Sequence, residues 1–167
     1  GETPDGEEKQ GTCGKGVNWT LKDGILTISG NGEMDDFYVV ADFFTGEITE
    51  ENLPGWNDYK DEITEVYVED GVTYIGTEAF MNCPNLKKAV VGNTVKTIER
   101  DAFSDDPLLT DLALGNSLEK IGEEVFWGAG LTKLVLPASI KELDGSSLSG
   151  LRSLQSFEME ENSIYSV

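Results

Sequence analysis

The feature that most constrains this chain is a pattern that repeats. Ile63-Thr64-Glu65-Val66-Tyr67-Val68 returns as Leu86-Lys87-Lys88-Ala89-Val90-Val91, Leu109-Thr110-Asp111-Leu112-Ala113-Leu114, Leu131-Thr132-Lys133-Leu134-Val135-Leu136 and Leu154-Gln155-Ser156-Phe157-Glu158-Met159, at steps of 23, 23, 22 and 23 residues. A second apolar set follows each: Val72, Ile75, Ala79 and Phe80 return as Val95, Ile98, Ala102 and Phe103, as Leu118, Ile121, Val125 and Phe126, and more loosely as Ile140, Leu143, Ser147 and Leu148. A unit this short buries its apolar face only against a neighbour, so the units must stack into a solenoid. At 167 residues the chain holds about one domain. The residue missing at the short step falls in the turn Trp127-Gly128-Ala129-Gly130. Loss in a turn is expected to leave the strand register intact.

The L-x-x-L-x-L strand at this period is the leucine-rich-repeat signature. It predicts a right-handed, curved, strand-dominated α/β solenoid with one parallel sheet of about five short strands and little helix. Side chains alternate along a strand, so the first, fourth and sixth positions face the core. The outer face then shows two columns: Glu65, Lys88, Asp111, Lys133 and Ser156, and Tyr67, Val90, Ala113, Val135 and Glu158. In the first, acid and lysine sit one strand apart and are expected to neutralise each other. The second is an apolar stripe, and contiguous exposed apolar surface marks contact sites. Coverage of the face by the insertion at 37–53 is the bland alternative.

Upstream, residues 17–30 alternate and break at Lys22-Asp23-Gly24, a hairpin signal. Trp19, Leu21, Leu26 and Ile28 would cover the open end of the first unit. The chain thus divides into a flexible leader at 1–12, a cap with an acidic insertion at 13–62, and repeats at 63–167, four complete and one partial. The partial unit shows no complete C-terminal cap, so continuation of the chain or cover by other contacts is expected there.

Composition narrows the chemistry. The net charge of −20 is opposite to what nucleic acid or an anionic membrane surface requires. Residues 1–62 carry 15 acids and 4 bases and residues 63–167 carry 17 and 8, so acidity is spread rather than focused on a cleft. There is no histidine, which removes histidine-based nucleophile activation and the commonest metal ligand. A carboxylate pair of the glycosidase kind is not localised by the sequence. No catalytic residue, metal site or cofactor is assigned. The longest apolar runs are a few residues, so no membrane insertion is expected. Asp35 and Asp36 with Asp42, or Asp101 with Asp105 and Asp106, offer oxygen donors for calcium, but neither matches a known calcium-loop spacing. Cys13 and Cys83 read as small buried thiols, with a disulfide between them left open. Asn18-Trp19-Thr20 is a short match to a glycosylation acceptor. Trp19 and Trp56 read as packing residues, whereas Trp127, beside the inward Phe126, is a candidate exposed ring for glycan stacking, as are Phe37, Tyr38, Phe43 and Phe44 of the insertion.

The segment Gly71-Val72-Thr73-Tyr74-Ile75-Gly76-Thr77-Glu78-Ala79-Phe80-Met81-Asn82-Cys83 resembles the BspA-type leucine-rich repeats of bacterial surface proteins. The resemblance covers residues 63–161 and extends upstream through Cys13-Gly14, Trp19-Thr20-Leu21, Gly24 to Met34, and Pro54-Gly55-Trp56. The chain departs from the pattern in the insertion from Phe37 to Leu53 and in Gly55. The resemblance implies a secreted or cell-surface bacterial protein with an adhesin-like, non-enzymatic role, binding a protein of the host matrix or of a neighbouring cell. The candidate binding residues are Glu65, Tyr67, Lys88, Val90, Asp111, Ala113, Lys133 and Val135. The rivals are a spacer with no ligand and a carbohydrate-binding module using Trp127.

Overall fold

The computed structural model describes residues 6–161. Strands β1 (Lys9–Gly14), β2 (Val17–Lys22) and β3 (Ile25–Gly30) pair antiparallel in that order. Trp19 stands opposite Ile28 and Leu21 opposite Leu26, and all four are buried, as the lid reading requires. The strand β1 is a departure, because it begins at Lys9 inside the segment read as a leader. Lys9-Gln10-Gly11-Thr12 has no apolar alternation. It is held by backbone bonds to β2, and Gly11 lies so close to the indole that a Cβ there would sit 2.8 Å from Trp19 Nε1.

The cap is also more than a lid. After β3 comes β4 (Gly32–Glu33), then a hairpin of β5 (Tyr38–Ala41) and β6 (Ile48–Asn52), then a 3-10 turn at Asn57–Glu62. The units follow as β7 (Glu65–Val68) with β8 (Val72–Ile75), β9 (Lys88–Val91) with β10 (Thr97–Ile98), β11 (Asp111–Ala113) with β12 (Lys120–Ile121), and β13 (Lys133–Leu136) with β14 (Glu142–Leu143). The partial unit contributes β15 (Ser156–Met159). Because β3 pairs parallel with β7 and β4 parallel with β8, residues 25–33 form a unit ahead of the first repeat. The fold is a strand-dominated solenoid of about four turns with parallel sheets.

Two sheets run along it where the sequence predicted one. The first has the order β1-β2-β3-β7-β9-β11 and the second β14-β12-β10-β8-β4. The strands of the second are mostly two residues long, too short for alternation to announce them. Among the described residues the first sheet stops at β11, and β13 pairs only with β15. The residue missing from the turn leaves the inward register intact, since Leu131, Leu134 and Leu136 are all buried, but the ladder is not continuous across it. The second sheet, away from that turn, continues through β12 and β14.

A third ladder runs through the turns that close each unit. Glu78 and Asn82, Asp101 and Asp105, and Glu124 and Gly128 occupy left-handed backbone at unit spacing, with φ of 51° to 74°. Each non-glycine residue there costs on the order of 1 kcal/mol, and the conformation sends alternate N–H groups toward the next unit. Glu78, Phe80 and Asn82 donate to the carbonyls of Arg100, Ala102 and Ser104, and Asp101, Phe103 and Asp105 donate to those of Glu123, Val125 and Trp127. Inside this ladder the rings form a column: Phe37 meets Trp56 at 5.6 Å between centroids, Trp56 meets Phe80 at 5.8 Å, Phe80 meets Phe103 at 5.2 Å and Phe103 meets Phe126 at 6.0 Å.

Phe103 is fully buried with a ring on either side. Phe103→Ala should cost about 4 kcal/mol in urea unfolding, whereas Phe43→Ala, in the exposed hairpin turn, should stay within about 0.5 kcal/mol of wild type.

Candidate interaction face

The outer face of the first sheet brings together most, but not all, of the residues expected to form it. Strand register sets Glu65 beside Lys88 and Lys88 beside Asp111, and likewise Tyr67, Val90 and Ala113. At the C-terminal ends of these strands the apolar stripe opens into a groove of about 460 Å³, lined by Tyr67, Val90 and Ala113 with Gly92 and Gly115. Asp70 and Asn93 form its polar edge, tied together by a 2.7 Å bond from the Asn93 N–H to Asp70 Oδ1. The glycines keep successive chains close: a Cβ on Gly92 would stand 2.7 Å from the Val68 carbonyl oxygen, and one on Gly115, at φ 72°, would stand 2.7 Å from that of Gly92. Sequence reasoning missed this end of the groove. Its signal was the recurrence of Gly92 and Gly115 one unit apart.

The charge column behaves differently from the expectation. Glu65, Lys88 and Asp111 lie in register, yet among the described residues no ion pair within 4.0 Å joins them. Tyr67 takes the pairing instead. Its hydroxyl donates to Glu65 Oε1 at 3.3 Å, and Lys88 Nζ lies 5.8 Å from its ring centroid, a distance at which an ammonium is drawn to the π face. Lys133 and Val135 stand apart from this cluster. They belong to the separate β13–β15 pair, where Lys133 reaches Glu158 at 3.8 Å and Val135 faces Glu158 in register. The expected stripe is thus a cluster of three units, with Val135 outside it. The insertion is tied to the turn side of the solenoid by the Phe37 N–H on the Thr77 carbonyl, and its end is tied back by Asn52 Nδ2 on the carbonyl of Asp36, just ahead of it.

Trp127 is 38% exposed. One side of its ring rests on the Gly150 backbone, and the Arg152 guanidinium lies 5.8 Å from its centroid. Trp19 and Trp56 are buried in the cap, as packing residues. The cysteines are both free and buried. Burial, with Asp35 adding to it, pushes the Cys13 thiol up to about 12, and burial first and Asp106 second push Cys83 up as well. Neither is a ready thiolate.

Four of the acids considered for calcium, Asp36, Asp42, Asp101 and Asp106, have partners elsewhere. Asp36 Oδ1 accepts from the Tyr74 hydroxyl at 2.8 Å and the Thr77 N–H at 2.9 Å, and Asp42 Oδ1 accepts three bonds within its own turn. Asp101 lies 3.7 Å from Arg100. Among the described residues no three acidic, cysteine or histidine side chains gather as a metal site. Asp106 is fully buried; its Oδ1 accepts the Cys83 N–H at 2.8 Å and its Oδ2 has no partner. Burial raises its pKa well above the ordinary carboxylate value, against the Cys83 bond, which lowers it. The folded state therefore holds a proton there that the unfolded chain releases above about pH 4, so this residue's contribution falls as pH rises from there toward its folded pKa. Asp106→Asn should remove that dependence: in urea unfolding the variant should gain on wild type as pH rises above about 4, and equal pH slopes for the two would count against a protonated Asp106.

The geometry has counterparts among known proteins. The BspA type leucine rich repeat region matches residues 58–166 as six copies, one more than the five strand segments counted along the sequence. A leucine-rich repeat protein from Eubacterium ventriosum superposes with a TM-score of 0.69 at 25% identity, over 94% of this chain and 45% of that one. One from Bacteroides ovatus gives 0.56 at 23% identity, over 87% and 41%, and the T. pallidum leucine rich repeat protein gives 0.56 at 19%, over 86% and 83%. The chain spans less than half the length of the first two. No curated protein matches it. With the repeat region matched over most of its length and the solenoid shared with these structures, the chain belongs to the BspA-type leucine-rich-repeat family.

Proposed function

We propose that this chain is a non-catalytic interaction module of a bacterial surface or secreted protein, and that its sheet face takes a protein ligand from a host matrix or a neighbouring cell. The observation that carries the reading is the groove formed by Tyr67, Val90 and Ala113, apolar along its floor and edged by Asp70 and Asn93. An apolar centre with a polar rim is the anatomy of a protein contact. Tyr67 has the amphipathic, low-entropy side chain that dominates such contacts when buried by a partner. The family, whose repeats are generally non-catalytic, supports the absence of turnover, and so does the burial of both thiols. Surface location is supported by the BspA-type repeats themselves. Affinity of a single small face is modest, and display in many copies would raise it.

A second reading rests on Trp127, whose partly exposed ring beside Arg152 has the form of a sugar platform. Binding to arrays of matrix proteins and glycans separates the two. Tyr67→Glu with Val90→Glu should weaken a protein ligand at least about tenfold without altering the far-UV spectrum, and Trp127→Ala should leave that ligand unaffected. Loss of a glycan on Trp127→Ala would favour the sugar reading, and a wild type that binds nothing would leave a spacer.

A further inference from the structure

The hairpin of β5 and β6 is a second surface, unrelated to the groove. Among the described residues it pairs only with itself, and it leaves the solenoid at a firm base: Phe37 is buried edge-on against Trp56, and Asn52 Nδ2 donates to the Asp36 carbonyl at 2.8 Å. At its tip Phe43 and Phe44 are 93% and 91% exposed, with rings perpendicular at 5.4 Å. Val39, Val40 and Ile48 are exposed behind them. Two neighbouring phenylalanines held almost wholly in water are unfavourable in the free protein and mark a contact.

The tip is also held in shape. Asp42 Oδ1 accepts from the N–H groups of Phe44 and Thr45 at 2.9 and 2.8 Å and from Thr45 Oγ1 at 3.1 Å. The Asp42 N–H donates to the Glu47 carbonyl at 2.7 Å, and the Gly46 N–H donates back to the Asp42 carbonyl at 2.9 Å. A tip fixed in this way loses little freedom when a partner covers it.

Charge identifies the kind of partner. Asp42, Glu47, Glu50 and Glu51 surround the apolar residues, and no Lys or Arg occurs between Lys22 and Lys60. A second copy would bring the same acids face to face. An anionic bilayer would be repelled, and no cation on the hairpin is available to hold headgroup phosphates. We propose that the Phe43–Phe44 hairpin docks on a cationic protein, its rings entering an apolar surface rimmed by lysine or arginine.

An amphipathic helical peptide with a leucine face and a lysine rim is the probe, titrated into the whole chain by calorimetry. The same helix with glutamate for lysine, and phosphatidylcholine vesicles, are the comparisons. The wild type should bind the Leu/Lys peptide, more weakly as salt rises. Phe43→Ser with Phe44→Ser keeps every charge and should lose at least about tenfold in affinity. Glu47→Gln with Glu50→Gln and Glu51→Gln should weaken binding and flatten its salt dependence. Tyr67→Glu with Val90→Glu should bind as wild type, since the groove is not involved. Thermal melts of the hairpin variants should match wild type because Phe37 and Trp56 are untouched. Equal binding by the phenylalanine variant would reduce the effect to bulk charge and overturn the proposal. So would a wild type that does not bind, that prefers the Leu/Glu helix or the vesicles, or that dimerises through the hairpin.

Discussion

The ring column at the turns is the constraint on which the rest of this solenoid depends. Paired strands repeat at about 4.8 Å, while the rings from Trp56 to Phe126 repeat at 5.2 to 6.0 Å and tilt by 17° to 32° from one to the next. Rings at that separation are in the favourable offset range, so each unit can place its ring on the last only if both sheets keep step. Trp56 starts the column in the cap and also addresses its polarity. The turn ladder points N–H groups toward later units and carbonyls toward the cap, and Trp56 Nε1 donates to the Ala79 carbonyl at 2.9 Å. A phenylalanine there would stack but could not donate.

Much of this was legible because periodicity is a global signal. Five apolar positions kept at one spacing give the stack, its core and its strand order, and Trp19, Leu21, Leu26 and Ile28 show the hairpin by alternation. The unread parts are local and polar. Little apolar marks β1, where Cys13 alone is buried and a glycine stands opposite Trp19. The second sheet hides because Thr97–Ile98 and Lys120–Ile121 each show a single inward residue. Asp106 was legible only as one of the acids that could offer oxygen donors to calcium. Its role, accepting the N–H of the residue one unit earlier, is a contact across 23 residues that no local pattern carries.

The candidate face was half legible for the same reason. Alternation places Tyr67, Val90 and Ala113 outward, and register then brings them together. It does not reveal that β13 pairs with β15 and not with β11, or that Val135 lies outside the groove. A ladder of charges is likewise only a statement of adjacency. Glu65 and Lys88 are neighbours, but an aromatic ring between their tips offers each a contact that two solvated charges do not improve on, since exposed ion pairs contribute about 0–1 kcal/mol.

The two proposed surfaces therefore differ in what water and salt do to them. The groove has Glu69 and Asp70 on its lining and a cation beside it, Lys88, against Tyr67, so the charges around it are mixed. Affinity there has to come from apolar area and shape, which salt barely screens. The hairpin has no cation within its sequence, and Lys60 lines a pocket only at its base, beside Tyr38, Val39 and Glu51, so acids dominate around Phe43 and Phe44. Acids close to exposed rings raise the barrier to like-charged copies and steer opposite charge toward the tip over roughly a Debye length, about 8 Å at physiological ionic strength. Acidity spread over the whole chain thus has a local use in the insertion: it keeps an otherwise adhesive pair of rings from meeting its own kind and leaves it open to a partner of opposite charge.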